Sequence, residues 1–339
     1  MTHPIQAVRT LVGQELTLGE PQACRGLTLV PLSAMTTVAK AGAYALAAEA
    51  IAAGTLAVEE TGGGQVPQLV VHNQGDLPVL LVEGEHLEGA MQDRVLNVSV
   101  LVAARHDTHI PVSCVEHGRW GYRSSQGFAP APEFTHPNLR AMKVASVARD
   151  ARRTGGRRSD QGGVWAEVDR KRAEVGASFS ATGAMGDAYR DRGRELDEIT
   201  AEFGSPRPGQ LGTIVCIGGR PVAADVFDRP ETLAGLWSRL SRGYAVDALG
   251  APTGEVSPAD LERFLARVRD AEATSHEAVG LGADVVLTAE GFVATALVWD
   301  EAVVHLAMFS NAPVAARGRG DAGRIASPRQ RASSWFREV

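Results

Sequence analysis

Short apolar runs separated by glycine and polar turns are the feature of this sequence that most limits its fold. The run LPVLLVE (77–83) is continuously apolar, as in a strand that is covered on both faces, whereas VLNVSVLVAA (95–104) alternates between apolar and polar residues. HIPVSCVE (109–116) predicts a further strand. The close spacing of these runs predicts a β-rich domain, a sandwich or barrel, for residues 1–128, with one helix inserted at AYALAAEAIAAG (43–54).

The rest of the chain has longer amphipathic segments. Residues 129–162 are rich in proline and arginine and are predicted to form a connection. Residues 163–311 show helical spacing and then strand-like alternation, which predicts a helical and α/β part packed on the first. Three residues are candidate N-caps of its helices: Ser159, Asp228 and Ser257. Residues 312–339 are polar and arginine-rich, as in a mobile tail. The predicted fold class is therefore α+β, with a β-rich N-terminal half, a helical middle and an α/β C-terminal part.

Composition argues against several classes of protein. The chain has 339 residues and a formal net charge of −6, which does not indicate a general nucleic-acid binder. No apolar run approaches the roughly 20 residues that cross a bilayer, and the N-terminus lacks the features of a secretory signal. We therefore expect a cytoplasmic protein. Cys24, Cys114 and Cys216 are far apart in sequence, which argues against a disulfide framework or a structural zinc knuckle.

A polar segment between two predicted strands suggests a binding pocket. The even-numbered residues of VLNVSVLVAA are expected to face the core, and the same parity places Gln92 and Arg94 on that side. A buried guanidinium needs a carboxylate or a bound anion, and Glu85 and Glu116 are the nearest acidic candidates. The alternative is that the strand begins at Val95 and that the preceding loop faces solvent.

Further interpretations of this segment stay open. Cys114 is a candidate nucleophile with a histidine as base, although a cysteine between valines is more often a small core residue. Trp120, beside Arg119, either stacks on a ligand ring or closes the end of a barrel. A metal site is a third interpretation, although no HxH or HExxH spacing supports it. Its candidate ligands are His86, His106, His109, His117, Glu85 and Glu116.

The segment Arg149–Arg158 contains five arginines and two glycines. It is either a solvated loop or a phosphate-binding segment, and with the C-terminal tail it is also a candidate surface for nucleic acid or a protein partner. Asp160 and Gln161 begin a predicted helix whose free N–H groups suit an anion, although the Asp160 carboxylate weakens that interpretation. The sequence contains no GxSxG motif, no Walker A lysine and no GxGxxG after a strand.

Four blocks together resemble one bacterial family, the ARG and rhodanese-phosphatase-superfamily-associated domain. The resemblance covers about residues 27–307 and is carried by LPVLLVEGEHLEGAMQDRVLNVSVLV, IPVSCVEHGRW, SDQGGVWAEV and VFDRPETLAGLWSRLSRGYAVDAL. The family motif GExxxGxxQxR falls here on Gly84, Glu85, Gly89, Gln92 and Arg94. Its later motifs fall on Ser113, Cys114, Glu116, Arg119, Trp120, Asp160, Gln161 and Trp165. The resemblance implies a link to ADP-ribose or NAD-derived metabolites through genomic association, without a settled reaction.

These observations predict a polar pocket for a phosphorylated, nucleotide-like metabolite. Glu85 and Glu116 are the candidate acid, base or ribose-binding groups. The candidate ligand-binding residues are Gln92, Arg94, Arg119, Trp120, Asp160 and Gln161. Two alternatives remain: a non-catalytic sensor or scaffold, and a nucleic-acid or partner-binding module. The metal, the cofactor and the oligomeric state are left open by the sequence.

Overall fold

The computed structural model describes residues 4–35, 38–61, 67–119, 127–177 and 182–310. Trp120 and the predicted tail therefore lie outside the described residues. The strands within the described ranges are β1 (Leu16–Leu18), β2 (Gln22–Cys24), β3 (Leu27–Ala34), β4 (Ala45–Leu46), β5 (Leu56–Glu60), β6 (Gln68–Asn73), β7 (Val79–Leu81), β8 (Glu85–Gly89), β9 (Arg94–Leu96), β10 (Val100–Val102), β11 (His106–Cys114), β12 (Phe128–Phe134), β13 (Gln210–Ile217), β14 (Arg220–Phe227), β15 (Glu272–Glu277), β16 (Ala283–Ala289), β17 (Phe292–Trp299) and β18 (Ala302–Ser310).

Helices cover the sheets and connect them. They are α1 (Pro4–Thr10), α2 (Ala47–Ala52), α3 (Pro137–Thr154), α4 (Gln161–Glu174), α5 (Gly186–Asp191), α6 (Gly193–Phe203), α7 (Pro230–Ala248) and α8 (Pro258–Asp270), and a π-helical stretch (Leu11–Glu15) follows α1. None of the described helices is both long and apolar enough to cross a membrane. The mixture of helices and sheets, with strands concentrated in the first half and helices in the middle, confirms the predicted α+β class.

The largest sheet joins the two ends of the chain. Its order is β1-β3-β13-β14-β18-β17-β16-β15, with β2 also paired to β3, and all its pairs are antiparallel. Strand β13 pairs with β3 in a register that sets Ile214 opposite Val30. Strands near the N-terminus therefore depend on the C-terminal part for their hydrogen bonds.

The remaining strands form two smaller sheets. A six-stranded antiparallel sheet has the order β12-β8-β9-β11-β6-β5, and a three-stranded sheet has the order β10-β7-β4. Apolar side chains of both sheets and of helix α2 form one core, which includes Val71, Leu81 and Ile110. Two further cores lie on opposite faces of the large sheet, one with α3, α4, α6 and α7 and the other with α1 and α8. Successive strand residues alternate between these cores, as Ala223 and Ala224 of β14 do.

Four local predictions from the sequence are corrected. Residues 129–162, predicted as a connection, contain most of strand β12 and the 18-residue helix α3. VLNVSVLVAA is two strands in different sheets, because β9 pairs with β8 and β11 whereas β10 pairs with β7. The N-cap of α4 is Asp160 and not Ser159, and α7 begins after Arg229 and not after Asp228. The predicted N-cap Ser257 does precede α8. The proposed domain boundaries stay a prediction.

Candidate functional site

A buried ionic network lies where the small sheets meet the large one. We call it the junction network, and its members are Glu83, Ser99, Arg140, Lys143, Asp225, Tyr244 and His305. Arg140 donates two hydrogen bonds to the Asp225 carboxylate, at 2.9 and 2.7 Å, and a third to Glu83 at 3.0 Å. Lys143 donates to the other Glu83 oxygen at 2.5 Å. Strands, helices and a loop from both halves of the chain are joined by these bonds.

Every charged group of the junction network has partners. Tyr244 donates to Asp225 at 2.6 Å, and the two ring nitrogens of His305 contact Asp225 and Ser99, at 3.0 and 2.7 Å. Burial raises the pKa of Asp225, but the charge of Arg140 and hydrogen bonds from His305 and Arg140 outweigh it, so the pKa lies below its usual value. None of the network's buried side-chain N and O atoms lacks a hydrogen-bond partner. Complete hydrogen bonding of this kind favours a structural interpretation of the network over a binding site.

Two glycines shape the segment that carries the predicted motif. Gly84 has φ of +83°, and a Cβ added there would lie 2.5 Å from Nε of Arg140. Gly89 has φ of +147°, and its Cβ would lie 2.3 Å from the Gly127 carbonyl oxygen. Both positions therefore exclude a side chain by conformation and by space. The next residue, Ala90, adopts a positive φ of 39°, which is unusual for a residue with a side chain.

Arg119 holds this segment in place. Its guanidinium donates to Glu116 Oε2 at 2.9 and 2.6 Å, to Asp93 Oδ1 at 3.0 Å and to the Ala90 carbonyl at 2.6 Å. Burial raises the pKa of Glu116, but hydrogen bonds from Arg119 and Thr182 and the charge of Arg119 outweigh it and lower the pKa. Arg119 therefore links Glu116, two residues after the end of β11, to the turn at Ala90.

A second polar group lies on the other side of the 92–94 segment. We call Glu60, Gln92, Arg94 and Cys114 the Arg94 group. Arg94 Nη1 contacts Gln92 Oε1 at 3.1 Å and Cys114 Sγ at 2.8 Å, and Nη2 is 3.6 Å from Glu60 Oε1. Arg94 is 2% exposed and begins strand β9, so the strand starts early enough to turn this side chain inward. The solvent-facing alternative is therefore wrong for Gln92 and Arg94, because both are buried.

The Arg94 group differs from the junction network in its unused polar atoms. Glu60 Oε2, Gln92 Nε2 and Arg94 Nε are buried and have no hydrogen-bond partner among the described residues. Buried polar atoms without a partner are uncommon and costly, and one explanation for them is a ligand that supplies the missing bonds. The Glu60 side chain is 11% exposed, so the group lies just beneath the surface.

Other predicted site residues lie apart from the Arg94 group. Glu85 accepts hydrogen bonds from Arg239 at 2.5 Å and from the Val82 backbone at 3.1 Å, and no described hydrogen bond or ion pair joins it to Arg94 or Arg119. Gln161 bonds the backbone N–H and carbonyl of Cys114, at 2.9 and 2.8 Å, as a neighbouring strand would. Asp160 is exposed and accepts a hydrogen bond from Gly163 N–H as a helix cap.

Cys114 has the environment of a core residue and not of a nucleophile. Burial raises the pKa of its thiol to about 11, although the charge of Arg94 opposes this. The thiol is 1% exposed and lies 3.3 Å from Gln92 Oε1. A nucleophilic cysteine needs a lowered pKa and access to substrate. No described hydrogen bond links its sulfur to a histidine.

The predicted histidine cluster does not form as a whole. His106 and His109 are exposed on β11, and His117 lies 3.2 Å from Asp169. His86 alone of the four is fully buried. Burial lowers its pKa, but a hydrogen bond with Glu133 and the charges of Glu133, Asp93 and Glu88 outweigh this and raise it. Sequence reasoning missed Glu60, Asp93 and Glu133, because parity placed Asp93 on the outer face and the other two are distant in sequence.

A surface groove lies beside the arginine-rich segment. It has a volume of about 480 Å³ and is lined by residues of β6, β11, the end of α3 and the segment after α3, among them Gln68, His109, Arg153 and Arg158. Several arginines of the segment are occupied elsewhere: Arg152 donates to Glu272 at 2.8 Å and Arg157 to Asp284 at 2.8 Å. Arg153 has an 82% exposed side chain.

Comparison with known proteins identifies the family and nothing more specific. Neither the curated proteins nor the solved structures contain a match. A match to the ARG and Rhodanese-Phosphatase-superfamily-associated Protein domain spans residues 15–309, which includes both ionic clusters and all three sheets. Since this match covers most of the chain, the protein belongs to the ARG and Rhodanese-Phosphatase-superfamily-associated Protein domain family.

Proposed function

We propose that this protein binds a small phosphorylated, nucleotide-like metabolite at the Arg94 group. The observation that carries the proposal is the pair of buried donors without a partner, Gln92 Nε2 and Arg94 Nε. Both atoms can donate to phosphate or carbonyl oxygens, and a guanidinium is well suited to phosphate. The narrower ligand class, ADP-ribose or another NAD-derived compound, rests on the genomic association that the family resemblance implies.

Charge balance supports a ligand with acceptor atoms at this group. The Glu60 carboxylate is 3.6 Å from Arg94, an ion pair without a short hydrogen bond, and one of its oxygens bonds the Met91 N–H instead. Arg94 therefore keeps part of its capacity to bind an anion. Arg119, by contrast, uses its donors on Glu116, Asp93 and backbone carbonyls, so it shapes the site and does not hold the ligand.

The described contacts favour binding over hydrolysis. Glu85 is held by Arg239, and Glu116 by Arg119 and the Asp93 N–H. The lowered pKa of Glu116 makes it a carboxylate at neutral pH, so it would serve as a base and not as an acid. Hydrolysis of the bound metabolite is a further part of this proposal. The alternative is a non-catalytic sensor that only binds it.

Calorimetric titration of the full chain with ADP-ribose, NAD and inorganic phosphate tests the proposal. Gln92→Glu removes the free Nε2 donor and keeps an oxygen for Arg94 and Cys114, so the fold should be retained. We expect about tenfold weaker binding, the effect of losing one hydrogen bond to a charged group. Gln22→Glu adds the same charge on strand β2 and is the matched control.

Each result of the titration has a defined meaning. Binding by the native chain that is weakened in Gln92→Glu but not in Gln22→Glu supports the Arg94 group as the site. Equal affinities in all three proteins exclude it. Product formation during a long incubation with the bound ligand distinguishes a hydrolase from a sensor.

The groove beside Arg153 and Arg158 supports a second candidate function. Its volume of about 480 Å³ lies in the range of ligand pockets, and exposed arginines border it. A nucleic acid or a phosphorylated partner would contact these arginines. Salt-dependent retention on heparin, lost in the Arg153→Gln/Arg158→Gln double variant, would favour this function. Retention unchanged by the double variant would count against it.

A further inference from the structure

Three potential metal ligands converge on the side of the 92–94 segment that faces away from the Arg94 group. His86, Glu88 and Asp93 each offer an atom within 4.8 Å of the other two. His86 Nε2 and Asp93 Oδ2 are 3.9 Å apart. Two ligands of a transition metal with bonds of about 2.0–2.2 Å are separated by about 3 to 4 Å. The cluster therefore needs only small side-chain adjustments to surround an ion.

The orientation of His86 is the second observation. Its Nδ1 lies 3.1 Å from Glu133 Oε1, so a proton on Nδ1 can be donated to that carboxylate. The opposite nitrogen, Nε2, is fully buried, has no hydrogen-bond partner and points toward Asp93. A carboxylate behind a histidine fixes the tautomer whose free nitrogen binds metal. A buried imidazole nitrogen without a hydrogen-bond partner is uncommon, and a bound metal ion is one explanation for it.

The charges around His86 favour a cation. Four carboxylates surround the cluster or contact its members: Glu88, Asp93, Glu116 and Glu133. Among the described contacts, Arg119 lies 3.0 Å from Asp93 and Arg190 lies 3.6 Å from Glu88. A divalent ion beside the neutral imidazole would add a positive charge among these carboxylates, whose charges favour it.

We propose that His86, Glu88 and Asp93 form a site for a divalent transition-metal ion, Zn²⁺ or Mn²⁺. One imidazole and two carboxylates are a common donor set for these ions, and three protein ligands leave positions for water or for a ligand oxygen. Glu133 orients His86 without binding the ion. The site does not depend on the proposed metabolite, because its side chains lie on the opposite side of the segment from Gln92 and Arg94.

Metal content and calorimetry on the full chain test the proposal. The chain is stripped with a chelator and then titrated with ZnSO₄, MnCl₂ and CaCl₂. We expect one Zn²⁺ or Mn²⁺ per chain and much weaker binding of Ca²⁺, which prefers six or more oxygen ligands. Glu88→Gln should weaken Zn²⁺ or Mn²⁺ binding about tenfold or more. This variant should fold, because the Glu88 side chain is 30% exposed.

Glu195→Gln is the matched control, since Glu195 has a 39% exposed side chain and also pairs with an arginine. Circular dichroism and the thermal midpoint without metal show that the variants are folded. His86→Gln removes a second of the three proposed metal ligands. Binding of one ion that is weakened in Glu88→Gln and His86→Gln but not in Glu195→Gln supports the site. Absence of Zn²⁺ and Mn²⁺ binding, or equal binding by Glu88→Gln and Glu195→Gln, overturns it.

Discussion

The side chains of Gln92, Asp93 and Arg94 alternate between two sides of the segment, and each side has different polar partners. Gln92 and Arg94 face the thiol of Cys114, whereas Asp93 faces Arg119 on the other side. Sequence parity predicted the inward direction of the even-numbered residues. It did not predict the buried environment of Asp93, because the carboxylate contacts Arg119, which lies in the segment that follows β11. Alternation predicts the side of a residue but not what covers that side.

The burial of the Cys114 thiol predicts that this cysteine reacts slowly with alkylating reagents. Its pKa of about 11 keeps it protonated at pH 8, and burial denies access to reagents; the pKa of Cys216, at about 12, has the same consequence. Cys24 is only half-buried. Alkylation of the native chain at pH 8 should therefore modify Cys24 alone, and alkylation in urea should modify all three, as read by mass spectrometry of peptides. Rapid modification of Cys114 in the native chain would restore the nucleophile hypothesis.

Arg140 is expected to contribute strongly to the free energy of unfolding. Its guanidinium is fully buried between Glu83 and Asp225, so Arg140→Met removes both guanidinium bonds of Asp225 and one of the two cations that bind Glu83. Losing one member of a buried ion pair costs about 3 to 5 kcal/mol of unfolding free energy. Urea unfolding at pH 7 measures the loss. Arg194→Met, at a 92% exposed side chain, is the control and should change the free energy by less than about 0.5 kcal/mol.

At the scale of elements, helix α3 shows why the sequence did not predict a helix within residues 129–162. Its buried face includes Leu139, Val144 and Val147 but also Arg140 and Lys143, which interrupt the apolar periodicity. The two charged residues are buried because carboxylates of Glu83 and Asp225 meet them from other elements. Periodicity alone cannot show such partners. The same limit explains the division of VLNVSVLVAA, where Ser99 leaves the strand to bond the Glu83 N–H and His305.

Glu167 in helix α4 is expected to make folding stability depend on pH. Burial raises the pKa of Glu167, but hydrogen bonds from Arg170 and His136 lower it well below the usual value. A lowered folded-state pKa contributes stability above the unfolded pKa of about 4.3, and this contribution is lost as the pH falls toward the folded pKa. Glu167→Gln should therefore lower the urea midpoint at pH 7, and the difference from the native chain should shrink toward pH 3.

The control for α4 is Glu272→Gln, at a side chain that is 71% exposed. This variant should follow the native chain at both pH values, since an exposed pair contributes little. A difference between Glu167→Gln and the native chain that stays constant from pH 7 to pH 3 would contradict the assignment of a lowered pKa to Glu167.

For the whole molecule, the sequence predicted the classes of structure along the chain better than their connections. Each segment's α or β character depends on local patterns, which are visible in sequence. The pairing of β3 with β13 joins residues about 180 positions apart and has no local signal. The same limit holds at the candidate site. The sequence motif contains Gln92 and Arg94, but Glu60 and Glu133 lie on the distant strands β5 and β12 and could not be predicted to contact this segment.

The shared sheet and the junction network predict that the chain unfolds as one unit. Strand β3 from the first part is bonded between β1 and β13, and Arg140 links Glu83 to Asp225 across the two parts. Hydrogen exchange with mass spectrometry across a urea series measures this. Peptides from β6 and β11 should lose protection at the same urea concentration as peptides from β14 and β18. In Arg140→Met, both sets of peptides should lose protection at a lower urea concentration, and by the same amount. If β6 and β11 instead unfold separately from the large sheet, residues 1–128 contain an independently folding unit.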